Sequence, residues 1–326
     1  MRIGAVLALL AGLALAIFLI VHVGIGPVIG AVTKVGWGGF VLILLAAVPI
    51  IFFLALAWRS VVGPLAPFWV FMASRQLRDS ASDLLPFTQI GGVVIGARVG
   101  VLGGIPPVIA FSTAVVDITA EIMAQAAFTV LGLAIGMAQL RAAPALAPYA
   151  DVMILGTALL VPAIAAFVVL QRRGTALAAR LTGRFLPKAV TQTEAFTANI
   201  EALYRQPWKL ALCSSFHLLA WLASAAWLWV MLLLCGAEVS FFSAIAIEAL
   251  LSALRSVLVF IPGAIGVQEA GYAALAPVFG MGPEIGLAVS LLKRARDIVI
   301  GIPILLIWQI VEGKRAFAQK DETVPS

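Results

Sequence analysis

Long apolar runs separated by short polar segments dominate the sequence. Some runs are continuous and long enough to cross a bilayer as a helix, which takes about 20 apolar residues. Others are interrupted by proline, glycine or charged residues. The continuous runs are 3–23, 39–58, 152–171, 210–235 and 285–311, and the interrupted ones are 60–85, 87–106, 107–137, 241–261 and 264–281. This pattern predicts an all-α polytopic membrane bundle of about eight helices, two of them broken or re-entrant.

The distribution of basic residues predicts the orientation of the bundle. The longest polar stretch, 171–209, carries seven Lys or Arg against Glu194 and Glu201. Because cytoplasmic loops of membrane proteins are enriched in Lys and Arg, we expect this loop on the cytoplasmic side. The same rule places both termini in the cytoplasm. We expect one integral membrane domain over residues 1–326, in the inner membrane of a bacterium.

Composition excludes several classes of protein. Hydrophobic residues make up 63% of the 326 positions, charged residues 11%, and the mean hydropathy is +1.12. A soluble domain averages about 45–50% apolar and about 25% charged residues. A soluble enzyme, a nucleic-acid binder and a disordered chain are therefore excluded. The net charge of +6 is better explained by membrane orientation than by nucleic-acid binding.

Cysteine and histidine usage predicts no metal and no cofactor. Cys213 and Cys235 lie in one apolar run, and as a helix that run would separate them by about 33 Å, too far for a disulfide. Neither a CxxC pair nor zinc-ligand spacing is present. His22 and His217 are too few for an imidazole metal site, and we expect them at interfaces or in helix packing.

An internal repeat relates two of the interrupted regions. When Pro86 is aligned with Pro262, an acid lies thirty-five residues after each proline, Glu121 in one copy and Asp297 in the other. Each copy then consists of a helix, a break, a short helix, a second break and a long charged helix. The two repeat-like halves are 60–137 and 241–311. The number of crossings between the basic segments predicts that the copies enter the membrane from opposite sides, as in inverted-repeat transporters.

Charged residues inside the apolar segments are the candidate functional groups. An ionisable group at mid-span costs at least about 2.5–3.5 kcal/mol, so it should face a partner or a wet cavity. Asp117 and Glu121 are four residues apart, as are Lys293 and Asp297, and each pair shares a helical face. Structural ion pairing and snorkelling to the interface are the alternatives. The candidates are Arg98, Asp117, Glu121, Glu248, Arg255, Glu269, Lys293, Arg294 and Asp297.

Glycines at the breaks are the second indication of a functional site. Gly91, Gly92, Gly263 and Gly266 would let the backbone bend at positive φ and let a ligand approach closely. Freed N–H groups at the start of a following helix suit an anionic headgroup. Simple kinking of the helices is the alternative. The sequence has no HExxH, GxSxG, Walker or dinucleotide-binding motif, so we expect no enzyme activity.

Two stretches of the sequence resemble a known family. "LLPFTQIGGVVIGAR" followed by "AFSTAVVDITAE", and "FIPGAIGVQEAGY" followed by "AVSLLKRARDIVIG", resemble the membrane domain of the lysylphosphatidylglycerol synthases, and most closely the hopanoid-associated, HpnL-type branch. The resemblance covers about Gly36 to Trp308, and the sequence has no aminoacyltransferase half. The site positions it implies are Pro86, Gly91, Gly92, Arg98, Asp117, Pro262, Gly263, Gly266, Glu269 and Arg294.

The resemblance implies a flippase-like protein that moves a lipid, or helps to move it, across the membrane. Its substrate would be a hopanoid, another isoprenoid-derived lipid or an anionic phospholipid. We expect Arg98, Arg255 and Arg294 to bind the headgroup while the intramembrane acids balance their charge and couple movement to protons. The expected partners are membrane lipids and proteins of hopanoid biosynthesis or lipid transport. A membrane-embedded lipid-modifying enzyme and a non-transporting scaffold of a lipid-biosynthesis complex are the alternatives.

Overall fold

The computed structural model describes residues 25–85, 89–142, 190–257 and 262–322. Within these ranges the chain is helical and has no β-strand, which confirms the predicted all-α bundle. The predicted spans 3–23 and 152–171 lie outside the described residues, as do Pro86 and residues 171–189 of the basic loop.

Prolines mark the starts of the longest helices. Pro107, Pro207 and Pro283 are each the first residue of a helix, where the missing N–H of proline costs no hydrogen bond. The helices are α1 (Ile25–Ala46), α2 (Val48–Val62), α3 (Phe68–Leu84), α4 (Gln89–Leu102), α5 (Pro107–Ala142), α6 (Val190–Tyr204), α7 (Pro207–Leu234), α8 (Phe241–Val257), α9 (Val267–Val278) and α10 (Pro283–Glu322), with a 3-10 turn at Pro262–Ala264.

Three helical segments of the described chain are long and apolar enough to span a membrane: Val32–Val62, Pro107–Gln139 and Pro207–Leu234. The predicted span 39–58 lies within the first, and the third contains the predicted span 210–235 except for its last residue. Segment 107–137 is one continuous helix, as predicted for the long charged helix of the first repeat-like half. Its proline begins helix α5, and the following Ser, Thr and Gly residues stay helical over 36 residues.

The shorter helices favour re-entrant elements over full spans. Helix α4 has 14 residues, which correspond to about 21 Å, and α9 has 12, or about 18 Å. The hydrocarbon core is about 30 Å thick, so neither helix crosses it alone. Each short helix doubles back on the helix before it: Gly103 at the end of α4 lies against Val70 of α3, and Tyr272 of α9 contacts Glu248 of α8.

Small residues allow the close packing of α4. A Cβ atom at Gly96 would lie 3.1 Å from the carbonyl oxygen of Ser74, and one at Gly92 would lie 2.5 Å from the carbonyl oxygen of Arg78. Glycines four residues apart on one helical face let two backbones approach closely within a membrane. The hairpin of α3 and α4 therefore closes on a glycine stripe.

The two repeat-like segments exchange helices. The long helix α5 of the first packs against α8 of the second, and α10 packs against α3. Gln125 of α5 hydrogen-bonds to Ser256 while Gln139 contacts Ser243, so α5 and α8 run in opposite directions. An inverted repeat would produce this reciprocal packing, and the repeat itself stays a prediction.

Candidate functional site

Two arginines of α3 and two acids of α5 form a buried group that we call the α3–α5 cluster. Arg75 Nη2 and Arg78 Nη2 each lie 2.6 Å from an oxygen of Glu121. Both arginines also contact Asp117 Oδ2, at 3.4 Å and 3.1 Å respectively. Arg75 is only 6% exposed and also pairs with Asp79, one turn further along α3. The two guanidinium groups thus satisfy both acids, as buried charges require.

The other oxygen of Asp117 faces α7. His217 Nε2 lies 2.9 Å from Asp117 Oδ1, and Cys213 Sγ donates to the same oxygen over 3.6 Å. Cys213 and His217 are four residues apart and share one face of α7. All three residues are buried, and their donor atoms lie within 4.8 Å of one another. Residue types that bind metals therefore converge here from two helices.

A second buried group, the α8–α10 cluster, surrounds Glu248. Lys293 Nζ lies 2.9 Å from both oxygens of Glu248. Tyr272 donates to one oxygen at 2.8 Å, and Ser224 of α7 donates to the other at 2.7 Å. The ammonium group also lies 4.9 Å from the centre of the Trp227 ring, within cation–π distance. Every hydrogen-bonding position of this carboxylate is therefore engaged.

The two clusters have opposite polarity and share one helix. In the α3–α5 cluster the cations are on the first helix and the acids on the long one, whereas the α8–α10 cluster has the reverse arrangement. His217 contacts the first cluster and Ser224 the second. These two residues are seven apart on α7, or about 10 Å along its axis. Helix α7 therefore connects the two clusters.

The two breaks meet at the end of α3. Gly263, with a φ of +59°, packs so closely that a Cβ atom there would lie 2.7 Å from the carbonyl oxygen of Asp83. Arg255 of α8 also reaches Asp83, with its Nη2 3.3 Å from Oδ1. Backbone contact and an ion pair therefore join the first break to the second.

Arg294 is the cation beside this junction. Its Nε lies 3.1 Å from Glu269 Oε1, and Glu269 Oε2 accepts the backbone N–H of Gly266 at 2.7 Å, an N-capping contact at the start of α9. A Cβ atom at Gly263 would lie 3.4 Å from Arg294 Nη1. Arg294 Nη2 is buried and has no hydrogen-bond partner among the described residues. It is a free donor next to both breaks.

The structure does not gather the three predicted headgroup arginines at one point. Arg98 pairs with Glu312 at 2.9 Å, and both side chains are partly exposed. Glu312 lies eighteen residues beyond Arg294 on α10, or about 27 Å along a straight helix. The expectation that Arg98 acts with Arg255 and Arg294 was therefore wrong, because its helix α4 turns back and carries Arg98 away from the junction.

The predicted glycines divide into two groups. Gly263 and Gly266 have positive φ angles, +59° and +81°, as expected for glycines that shape a break. Gly91 and Gly92 lie within helix α4 instead, so the expectation that they bend the backbone was wrong. Gly92 serves close helix packing against α3.

Ion pairing engages each of the charged residues nominated from the sequence. Asp297 pairs with Arg296 at 2.8 Å rather than with Lys293 or Arg294. The structural alternative, that such charges neutralise one another, therefore accounts for the cluster residues, including Asp117, Glu121, Glu248 and Lys293. Coupling of the acids to protons stays a prediction.

Sequence reasoning missed several partners of these acids. Arg75 and Arg78 lie in the interrupted run 60–85 and were not among the candidates, although their three-residue spacing places both on one helical face. Cys213 was compared only with Cys235, and His217 only with His22. The four-residue spacing between Cys213 and His217 was not considered. Tyr272 gave no signal, since a buried tyrosine in an apolar helix usually fills the core.

Comparison with known protein families identifies the family to which the chain belongs. No curated protein matches the sequence, and no solved structure matches it. The family model described as the lysylphosphatidylglycerol synthase TM region matches residues 5–304, which include both clusters and both breaks. That match covers most of the chain and agrees with the helical membrane bundle. The chain therefore belongs to the family of the lysylphosphatidylglycerol synthase transmembrane region.

Proposed function

We propose that this protein moves a lipid headgroup across the bacterial inner membrane, with both termini in the cytoplasm, and is not an enzyme. Its family supports a role in lipid handling. The observation that carries the proposal is the junction of the two breaks, where Gly263 meets Asp83 and Arg294 presents an unpartnered donor. Broken helices that meet inside a membrane are the usual place for a transported group.

The chemistry of the junction suits an anionic or polyol headgroup. Arg294 has one nitrogen on Glu269 and a second nitrogen free, and a guanidinium group binds phosphate or hydroxyl oxygens through parallel donors. Arg255 is held by Asp83 in a partly exposed pair. A phosphate could compete with Asp83 for Arg255 and so open the contact between the breaks. The acyl or isoprenoid tails would stay in the lipid phase.

A hopanoid or another isoprenoid-derived lipid is the leading substrate, and an anionic phospholipid is the second. This choice rests on the resemblance of both break motifs to the hopanoid-associated branch. We further propose that proteins of hopanoid biosynthesis or lipid transport supply or receive the lipid.

The test uses spheroplasts that express the protein or an Arg294→Gln variant. Leaflet distribution of hopanoid and anionic lipids is measured by chemical labelling from outside, alongside cells that lack the protein. We expect the wild type to shift the distribution and Arg294→Gln to leave it as in the deletion. An equal shift by wild type and variant would contradict the proposed site.

Arg98→Gln is the matched control, because it removes an arginine whose partner Glu312 lies far from the junction. It should transport normally at equal expression. Total lipid composition is measured in the same samples. New lipid products with an unchanged leaflet distribution would favour a lipid-modifying enzyme instead.

A further inference from the structure

We propose that Asp117, Cys213 and His217 form a binding site for a soft divalent transition-metal ion such as Zn²⁺. The thiol, the imidazole and one carboxylate oxygen converge from α5 and α7 inside the bundle. This inference does not depend on the proposed lipid movement.

The distances between the three donor atoms fit the site. Zinc binds sulfur at about 2.3 Å and nitrogen or oxygen at about 2.0–2.2 Å in tetrahedral geometry, which places its ligand atoms about 3–4 Å apart. Asp117 Oδ1 lies 2.9 Å from His217 Nε2 and 3.6 Å from Cys213 Sγ. A metal ion would replace both hydrogen bonds to this oxygen with little movement of either helix: the Cys213 thiol proton leaves, and the neutral His217 imidazole carries its proton on Nδ1 instead of Nε2.

The charge of the surroundings also favours a divalent cation. Together with Asp79, which pairs with Arg75, the α3–α5 cluster holds two arginines against three carboxylates, those of Asp79, Asp117 and Glu121, so the group carries one negative charge in excess when His217 is neutral. A bound M²⁺ adds two positive charges and releases one proton from the Cys213 thiol. The cluster is then neutral, which lowers the cost of burying it in a membrane.

The neighbouring arginines support the ligand oxygen and do not compete for it. Arg75 and Arg78 contact Asp117 Oδ2, which leaves Oδ1 directed at Cys213 and His217. Hydrogen bonds to the distal oxygen of a ligating carboxylate are common and orient the ligand. A small cavity is lined by Asp117 and both arginines, and by neither Cys213 nor His217, so it lies beside the carboxylate rather than at the three donor atoms. The metal would link α5 to α7.

The test measures metal binding by the purified full-length protein in detergent. Chelator-treated protein is titrated with Co²⁺, whose bond to a thiolate gives a charge-transfer absorption, and bound zinc is measured by mass spectrometry after reconstitution. We expect one metal per chain and release of one thiol proton. Cys213→Ser should abolish the thiolate absorption. His217→Gln removes a ligand and should weaken binding by at least about 10- to 100-fold, the loss typical of changes to residues that only support the ligands.

Cys235→Ser and His22→Gln are the matched controls, because they remove the other cysteine and the other histidine and should bind like the wild type. Absence of thiolate absorption in the wild type would overturn the proposal, as would equal binding by wild type and Cys213→Ser.

If Cys213→Ser does not fold, X-ray absorption of the metal-loaded wild type decides. We expect one sulfur at about 2.3 Å with nitrogen or oxygen at about 2.0 Å. A shell without sulfur would overturn the site. None of these measurements involves lipid, so failure of the metal site and failure of lipid movement are distinguishable.

Discussion

Gly263 lies against the carbonyl oxygen of Asp83, so close that a Cβ atom would be only 2.7 Å away. The two residues are 180 positions apart in sequence; Asp83 lies in the last turn of α3, just before the first break, and Gly263 lies in the second break. Only a residue without a side chain allows this contact without displacement. The junction of the breaks therefore depends on one glycine.

Gly263→Ala should separate the breaks and stop lipid movement. The added methyl group must displace the backbone at Asp83, and overpacking of this kind costs about 1–3 kcal/mol. Gly280→Ala is the control, because Gly280 also has a positive φ, +79°, but has open space where a Cβ would lie. Leaflet distribution should be altered by Gly263→Ala alone. Equal loss in both variants would mean that backbone strain, and not the contact, matters.

Reversal of the Arg255 charge should weaken transport, because Arg255→Glu would face Asp83 as a like charge. The wild-type pair is 3.3 Å long and partly exposed, and such pairs contribute about 0.2–1 kcal/mol, so we expect a loss of roughly 1.4- to fivefold. The double variant Asp83→Arg, Arg255→Glu restores opposite charges and should recover transport. A double variant as impaired as Arg255→Glu would show that the pair does not act as a unit.

Arg75→Met should destabilise the protein strongly. It would leave Asp117 and Glu121 with less compensation inside the bundle, and removal of one partner of a buried pair costs about 3–5 kcal/mol. Arg205→Met removes an arginine from an exposed pair, 82% accessible and 3.9 Å from Glu201, and should change the free energy of unfolding by less than about 0.5 kcal/mol. Denaturant unfolding followed by tryptophan fluorescence measures both. Similar denaturation midpoints for Arg75→Met and Arg205→Met would contradict the burial of the Arg75 ion pairs.

Glu248→Gln and Lys293→Met should each be more harmful than their combination. Each single change leaves the other charge of a 2.9 Å buried pair unmatched, whereas the double variant leaves neither. We expect a coupling free energy of about 1–3 kcal/mol in a double-mutant cycle of unfolding. Additive effects would show that Tyr272 and Ser224, which donate to the same carboxylate, satisfy it without the lysine.

Some site residues could be anticipated because their signals are local. Proline and glycine fix backbone geometry wherever they occur, so the break at Gly263 and Gly266 was predictable together with its positive φ angles. Four-residue spacing placed Asp117 and Glu121 on one face of a helix. Gly92 shows the limit of such signals, since a glycine that bends a chain and one that packs a helix look alike in sequence.

The sequence by itself determined that this is an α-helical membrane protein with two broken regions, because apolar length and composition decide whether a helix is stable in lipid. It also determined the family through its two break motifs. Tertiary structure alone decided the partners. Asp117 meets Arg75 and His217, Glu248 meets Lys293, and Arg98 is carried away from Arg294. The physical reason is that a buried charge constrains only that some partner exists, whereas the packing of distant helices selects which one.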